Sequence, residues 1–184
     1  MMVITHVAIG LLAALPVALS MPEFATAAAV GAVIGGVFPD LDLVAGEHRR
    51  TLHFPVIGPL LALPVIIVAL LVPSNLTVGG AMAVTAAAVH STSDVLGAGE
   101  ELRPWERTST NAVYDHVSGR WWRARYVIPY DGSSRDLVVA VLAAVPPLSV
   151  YDGPVRWVLL GLLGVAGIYT LFRRRLAPYF EAIV

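Results

Sequence analysis

No Asp, Glu, Lys or Arg occurs between Thr51 and Ser93, and that gap limits what the chain can become. It is longer than one buried helix of a globular domain needs, and long enough for two bilayer crossings of roughly 17–25 apolar residues each. Pro73-Ser74-Asn75 supplies the turn between them. The rest of the chain agrees: 57% of the 184 residues are hydrophobic and 14% are charged, against roughly 25% charged in a soluble domain. The sequence predicts an all-α fold, a polytopic transmembrane helical bundle of about six helices. The whole chain, 1–184, forms one integral membrane domain, with spans near 3–20, 24–38, 55–72, 77–96, 137–150 and 155–172. The fifth span is short and interrupted by Pro146-Pro147, so five crossings is the alternative.

Charge sets the orientation. The 12 basic residues are all arginine, and 13 acids leave a net charge of −1, which gives no electrostatic footprint for nucleic acid. The absence of cysteine excludes disulfides, thiolate metal ligands, Fe–S clusters and a cysteine nucleophile. With six spans, every arginine except Arg156 falls on one side, together with the amino terminus. Positive charge near span ends marks the cytoplasmic side, so both termini are expected to face the cytoplasm from the inner membrane. A cleaved signal peptide over residues 1–20 is the competing reading, but it lacks a positively charged start. The interfacial loop 97–136 interleaves six arginines and six acids with Trp105, Trp121, Trp122, Tyr126 and Tyr130. Such aromatic residues favour the headgroup level, and the loop is expected to cap the bundle there.

Five histidines, His6, His48, His53, His90 and His116, all map to the cytoplasmic half, as do Asp40, Asp42 and Asp94. His90 and Asp94 stand at i, i+4 and so share one helix face. Ionisable groups in membrane helices are costly, about 2.5–3.5 kcal/mol for Asp, Lys or Arg at the centre, and persist where they pair, coordinate or line a path. Nitrogen and oxygen donors of this kind suit zinc, manganese or iron. Each residue taken alone has a plainer account. His6 snorkels or caps, Asp40 and Asp42 cap a loop, Arg49-Arg50 sets topology, and His116 is a solvated loop residue. The clustering of all of them on one side is what those accounts leave unexplained.

The order Thr5-His6, then Phe38-Pro39-Asp40-Leu41-Asp42, then His48-Arg49-Arg50-Thr51-Leu52-His53, then His90-Ser91-Thr92-Ser93-Asp94 resembles the membrane-bound metal-dependent hydrolases. These are also described as the LexA-binding, inner-membrane-associated hydrolase family. The resemblance covers residues 1–96, and Phe54 stands where that pattern usually has serine. The helix-borne His-x-x-x-Asp is also distantly similar to zinc-dependent phospholipase C. Carried over residue by residue, the resemblance implies His6, Asp40, His53, His90 and Asp94 as metal ligands. It leaves Asp42 and His48 as acid/base or supporting groups. The later His-x-x-x-Glu of the phospholipases has no match, since Arg120 follows His116 at that spacing, so one or two metals are expected rather than three.

The function expected is therefore a metal-dependent, phosphoesterase-like hydrolase at the cytoplasmic membrane face, acting on a phosphoester or lipid headgroup. Zinc is the first candidate for the metal. Asp42, with Asp40 as the alternative, would accept a proton or orient water, and Arg49 would pair with phosphate oxygens. Two rivals stand beside it: a scaffold whose His/Asp metal site merely staples helices, and a metal or proton transporter. A transporter needs ionisable groups at several depths, and Arg156 is the only charge towards the far side that lies within a span.

Overall fold

The structure is a computed structural model, and it describes residues 1–181. Six helices form: α1 Val3–Ser20, α2 Ala25–Val37, α3 Ile57–Leu71, α4 Asn75–Ser93, α5 Ser134–Val150 and α6 Gly153–Glu181. Among the described residues three stretches are long and apolar enough to cross a membrane, Val3–Ser20, Pro22–Leu43 and Gly153–Tyr179, while Ile57–Leu71 is a shorter apolar helix. Helix starts follow their caps. Ser74 and Thr77 form a reciprocal capping box that begins α4 at Asn75, two residues before the expected start. Ser133 likewise accepts from the Asp136 N–H and begins α5 at Ser134.

Two expectations need correction. The last helix does not stop at 172. It continues through Arg173, Arg174 and Arg175, because Arg173 turns back onto Asp131 at 2.8 Å instead of pointing to solvent. The 97–136 segment is not merely an irregular loop. It contains an antiparallel hairpin, β1 Asn111–Asp115 and β2 Arg120–Arg123, with Tyr114 opposite Trp121. Their rings meet edge to face at 5.5 Å. The turn is closed by Asp115, whose carboxylate accepts from the Val117 N–H and the Ser118 hydroxyl, and Gly119 takes the left-handed conformation there (φ 66°).

Small residues bring the central helices together. A Cβ added at Gly31 would lie 2.0 Å from the Gly79 carbonyl oxygen, and one at Gly35 2.0 Å from that of Ala83. This is close backbone packing of the small-xxx-small kind. Gly36 approaches the Val7 Cα of α1 in the same way. Helices α2 and α3 each pack on α4 rather than on one another, and α1 also carries α5. We expect Gly35→Ala to destabilise the bundle by about 1–3 kcal/mol through overpacking. Thermal unfolding in detergent measures this, and an unchanged midpoint would contradict so close an approach.

One end of the bundle gathers the polar groups. The Met1 amine donates to Asp94 Oδ1 at 2.8 Å. The Met2 N–H and the Thr5 hydroxyl donate to Asp136 in the first turn of α5. Asp131, just before α5, accepts from Tyr169 and Arg173 of α6. The amino end of α1, the carboxyl ends of α2, α4 and α6, and the amino ends of α3 and α5 therefore meet at one place. The hairpin lies against it, with the Tyr114 N–H donating to the Arg49 carbonyl.

Candidate metal centre

Four side chains converge at that end. Asp40 comes from the 3-10 turn after α2 and His53 from the loop before α3, while His90 and Asp94 stand one turn apart at the end of α4. One donor atom from each lies within 4.8 Å of all the others. His90 Nε2 is 3.4 Å from Asp40 Oδ1 and 3.6 Å from Asp94 Oδ2. His53 Nε2 is 3.8 Å and 3.3 Å from the same two carboxylates. The His53, His90 and Asp94 side chains are buried, and Asp40 is the open side of the group at 15% exposure.

The outer nitrogen of each imidazole is already committed. His90 Nδ1 donates to the Gly36 carbonyl at 2.8 Å, and His53 Nδ1 donates to Asp42 Oδ2 at 2.9 Å. Carbonyl and carboxylate oxygens only accept, so these bonds fix the proton on Nδ1 and turn the Nε2 lone pair of the neutral ring inward. Both Nε2 atoms are buried and make no hydrogen bond. A metal-ligating histidine has this arrangement, its other nitrogen held by a carbonyl or carboxylate. The cluster is a buried two-histidine, two-aspartate group capable of coordinating a divalent ion. Burial disfavours the imidazolium of His53, yet its hydrogen bond with Asp42 and the nearby charge of Asp94 outweigh that and raise its pKa above the ordinary value. A proton and a divalent ion thus compete for the same place.

The other expected site residues fall around this group rather than in it. His6 stands outside the four-donor set: its ring stacks on His90 at 3.6 Å, and its Nε2 lies 3.0 Å from Asp94 Oδ1. Its remaining nitrogen pairs with the Ser93 hydroxyl. Asp94 therefore divides its oxygens, Oδ1 to His6 and the Met1 amine, Oδ2 to His53 and His90. Asp42 is fully buried and bridges two imidazoles, with Oδ1 to His48 Nδ1 at 3.0 Å and Oδ2 to His53. His48 is 28% exposed. His116 lies at the hairpin turn, where it donates to the Arg50 carbonyl and packs on Phe54.

Arg49 is held inside the structure. Its guanidinium is buried and donates to the Ala98 carbonyl at 2.5 Å, with the Gly99 and Ala112 carbonyls at 3.3 and 3.4 Å. Its backbone is held in the left-handed region (φ 59°), a costly conformation for arginine that its surroundings must enforce. Its Nε stands 3.9 Å from Asp94. All three of those bonds come from Nη1 and tie Arg49 to the 97–136 segment, while its Nε is buried without a hydrogen bond on the side of Asp94. Asp136, which joins α1 to α5, and the Gly36 carbonyl behind His90 are not among the residues expected from the sequence. An acid three residues after Ser133 was a signal for the first. Nothing in the sequence marked the second. No family model, curated protein or solved structure matches the chain.

Proposed function

We propose that the chain is a multi-pass protein of the cytoplasmic membrane and a metal-dependent hydrolase of phosphoesters, as the order of its histidine and aspartate motifs suggests. The membrane assignment is supported by what the bundle turns outward. Leu60, Leu63 and Leu70 of α3, Leu142 of α5, and Trp157, Ile168 and Leu171 of α6 are all more than 60% exposed. An apolar surface of this extent is foreign to a soluble monomer. The arginine-rich segments gather at the end that carries the centre, which favours a cytoplasmic site.

The single observation that carries the catalytic reading is the pair of buried, unbonded Nε2 atoms facing Asp40 and Asp94. Asp40, His53, His90 and Asp94 would hold the ion. When bound, such an ion brings the pKa of water down to about 7 and polarises a phosphoryl oxygen. The chain's own residues do the rest. Asp42 fixes both His53 and His48, and His48, pinned through Nδ1 at the exposed edge, holds or releases a proton at Nε2. Arg49 positions Asp94 and the covering segment. The partly exposed Asp40 marks the side from which a phosphoester reaches the group.

Metal analysis of detergent-purified protein tests this. We expect stoichiometric zinc, manganese or iron in the native chain, its loss in His90→Ala with helical content retained, and metal-dependent release of phosphate from a phosphoester panel. Full metal content in His90→Ala would overturn the ligand assignment. Metal retained without hydrolysis of any phosphoester would favour a structural staple.

A further inference from the structure

Because α2 and α3 pack on α4 but not on each other, a groove runs between them with α4 as its floor. Its volume is about 530 Å³, within the range of small-molecule sites. Ile34 and Phe38 form one wall, Phe54 and Leu61 the other, and Ala83 and Ala87 the floor. The small floor residues create the space. The only polar side chain on its lining is Ser91, and its hydroxyl already donates to the Ala87 carbonyl. Nothing in the groove is left to satisfy a polar ligand.

The groove also shares its chain segments with the metal centre. Phe54 follows His53, Ser91 follows His90, and Phe38 lies two residues before Asp40, the partly exposed donor. Phe54, the position where the chain departs from the serine of the motif it resembles, thus serves as a wall. We propose that this groove holds one hydrocarbon chain of a membrane phospholipid and so presents the phosphoester of that lipid to the centre. The proposal rests on the hydrolase reading for the second half of that statement. A transmembrane helix is a poor occupant, being about 10–12 Å across with its side chains, whereas a single polymethylene chain is far narrower. Lipid tails and groove are equally apolar, so the groove gains by shape and contact rather than by escape from water. What it contributes is orientation of the polar end beside the donors.

Photolabelling tests the groove without requiring turnover. The metal-loaded protein is reconstituted in phosphatidylglycerol–phosphatidylcholine vesicles containing a phospholipid with a diazirine in its acyl chain, irradiated, and mapped by mass spectrometry. We expect labelling of Ile34, Phe38 and Leu61 several-fold above that of Val158 and Leu171, which face outward on α6 and report ordinary contact with the bilayer. In Ala87→Phe, whose ring fills the floor, the groove labelling should fall to the α6 level with metal content retained. Ala87→Leu, a smaller filling, replaces it should the phenylalanine variant lose its metal. Equal labelling of groove and α6 in the native protein, or labelling unaffected by a filled floor, would overturn the proposal. Groove labelling without hydrolysis of any phosphoester would overturn the hydrolase reading alone. Hydrolysis of soluble phosphoesters with an unlabelled groove would overturn the groove alone.

Discussion

Asp42→Asn is expected to weaken metal affinity about 10–100-fold, the usual effect of removing the partner that orients a ligating histidine, while leaving full occupancy attainable at high metal concentration. The reason is the number of acceptors. Native Asp42 accepts from His48 Nδ1 and from His53 Nδ1 with separate oxygens. Asparagine has one acceptor oxygen, and its amide donors would face an imidazole N–H. One of the two rings must lose its anchor. Titration with zinc, followed by competition with a chelator, separates this from loss of a ligand such as His90, for which high metal does not restore occupancy. Abolished uptake at saturating zinc would make Asp42 a ligand, and unchanged affinity would remove its positioning role.

Asp136→Ala should be among the most destabilising single substitutions in the chain. The Asp136 carboxylate accepts from the Met2 N–H, the Thr5 hydroxyl and the Gly132 N–H, and it is fully buried. Alanine would leave three buried donors without an acceptor. Each such group costs roughly 1–3 kcal/mol, so a loss of at least about 3 kcal/mol is expected. Thr5→Val, which removes one donor together with its need, should cost much less. Chemical unfolding in detergent micelles compares the two. Equal losses would show that the carboxylate acts through Thr5 alone.

Helix positions were legible because apolar runs and turn residues are local signals. α1 occupies its expected residues, and α2 to α5 agree in place within a few positions at each end. The end of α6 was not legible, because three consecutive arginines resemble a loop until Asp131 is known to lie beside Arg173. The hairpin was not legible either. Val113-Tyr114 and Trp121-Trp122 around Ser118-Gly119 form a strand-turn-strand signal, but interleaved charges gave it the character of an interfacial loop. Four of the eight site residues named from the sequence form the donor group, and the rest adjoin it. Residue type and order reveal which groups gather, since burying them is costly. They do not reveal which nitrogen turns inward, because that depends on partners such as the Gly36 carbonyl.

The glycine contacts between α2 and α4 have a mechanical consequence. At Gly31 and Gly35 the two backbones touch, and the side chains beside these contacts are as small as those of Ala27 and Ala86, so little there can re-pack to let the helices slide. Asp40, His90 and Asp94 ride on that fixed frame. His53 arrives instead at the head of α3, a helix with only Ala62 and Ala69 buried and packed chiefly on α4. Yet His53 Nδ1 is tied to Asp42, which shares the turn after α2 with Asp40. All four donors are thus keyed to one frame, and a tilt of α3 on α4 would change the width of the groove without drawing His53 from its three companions.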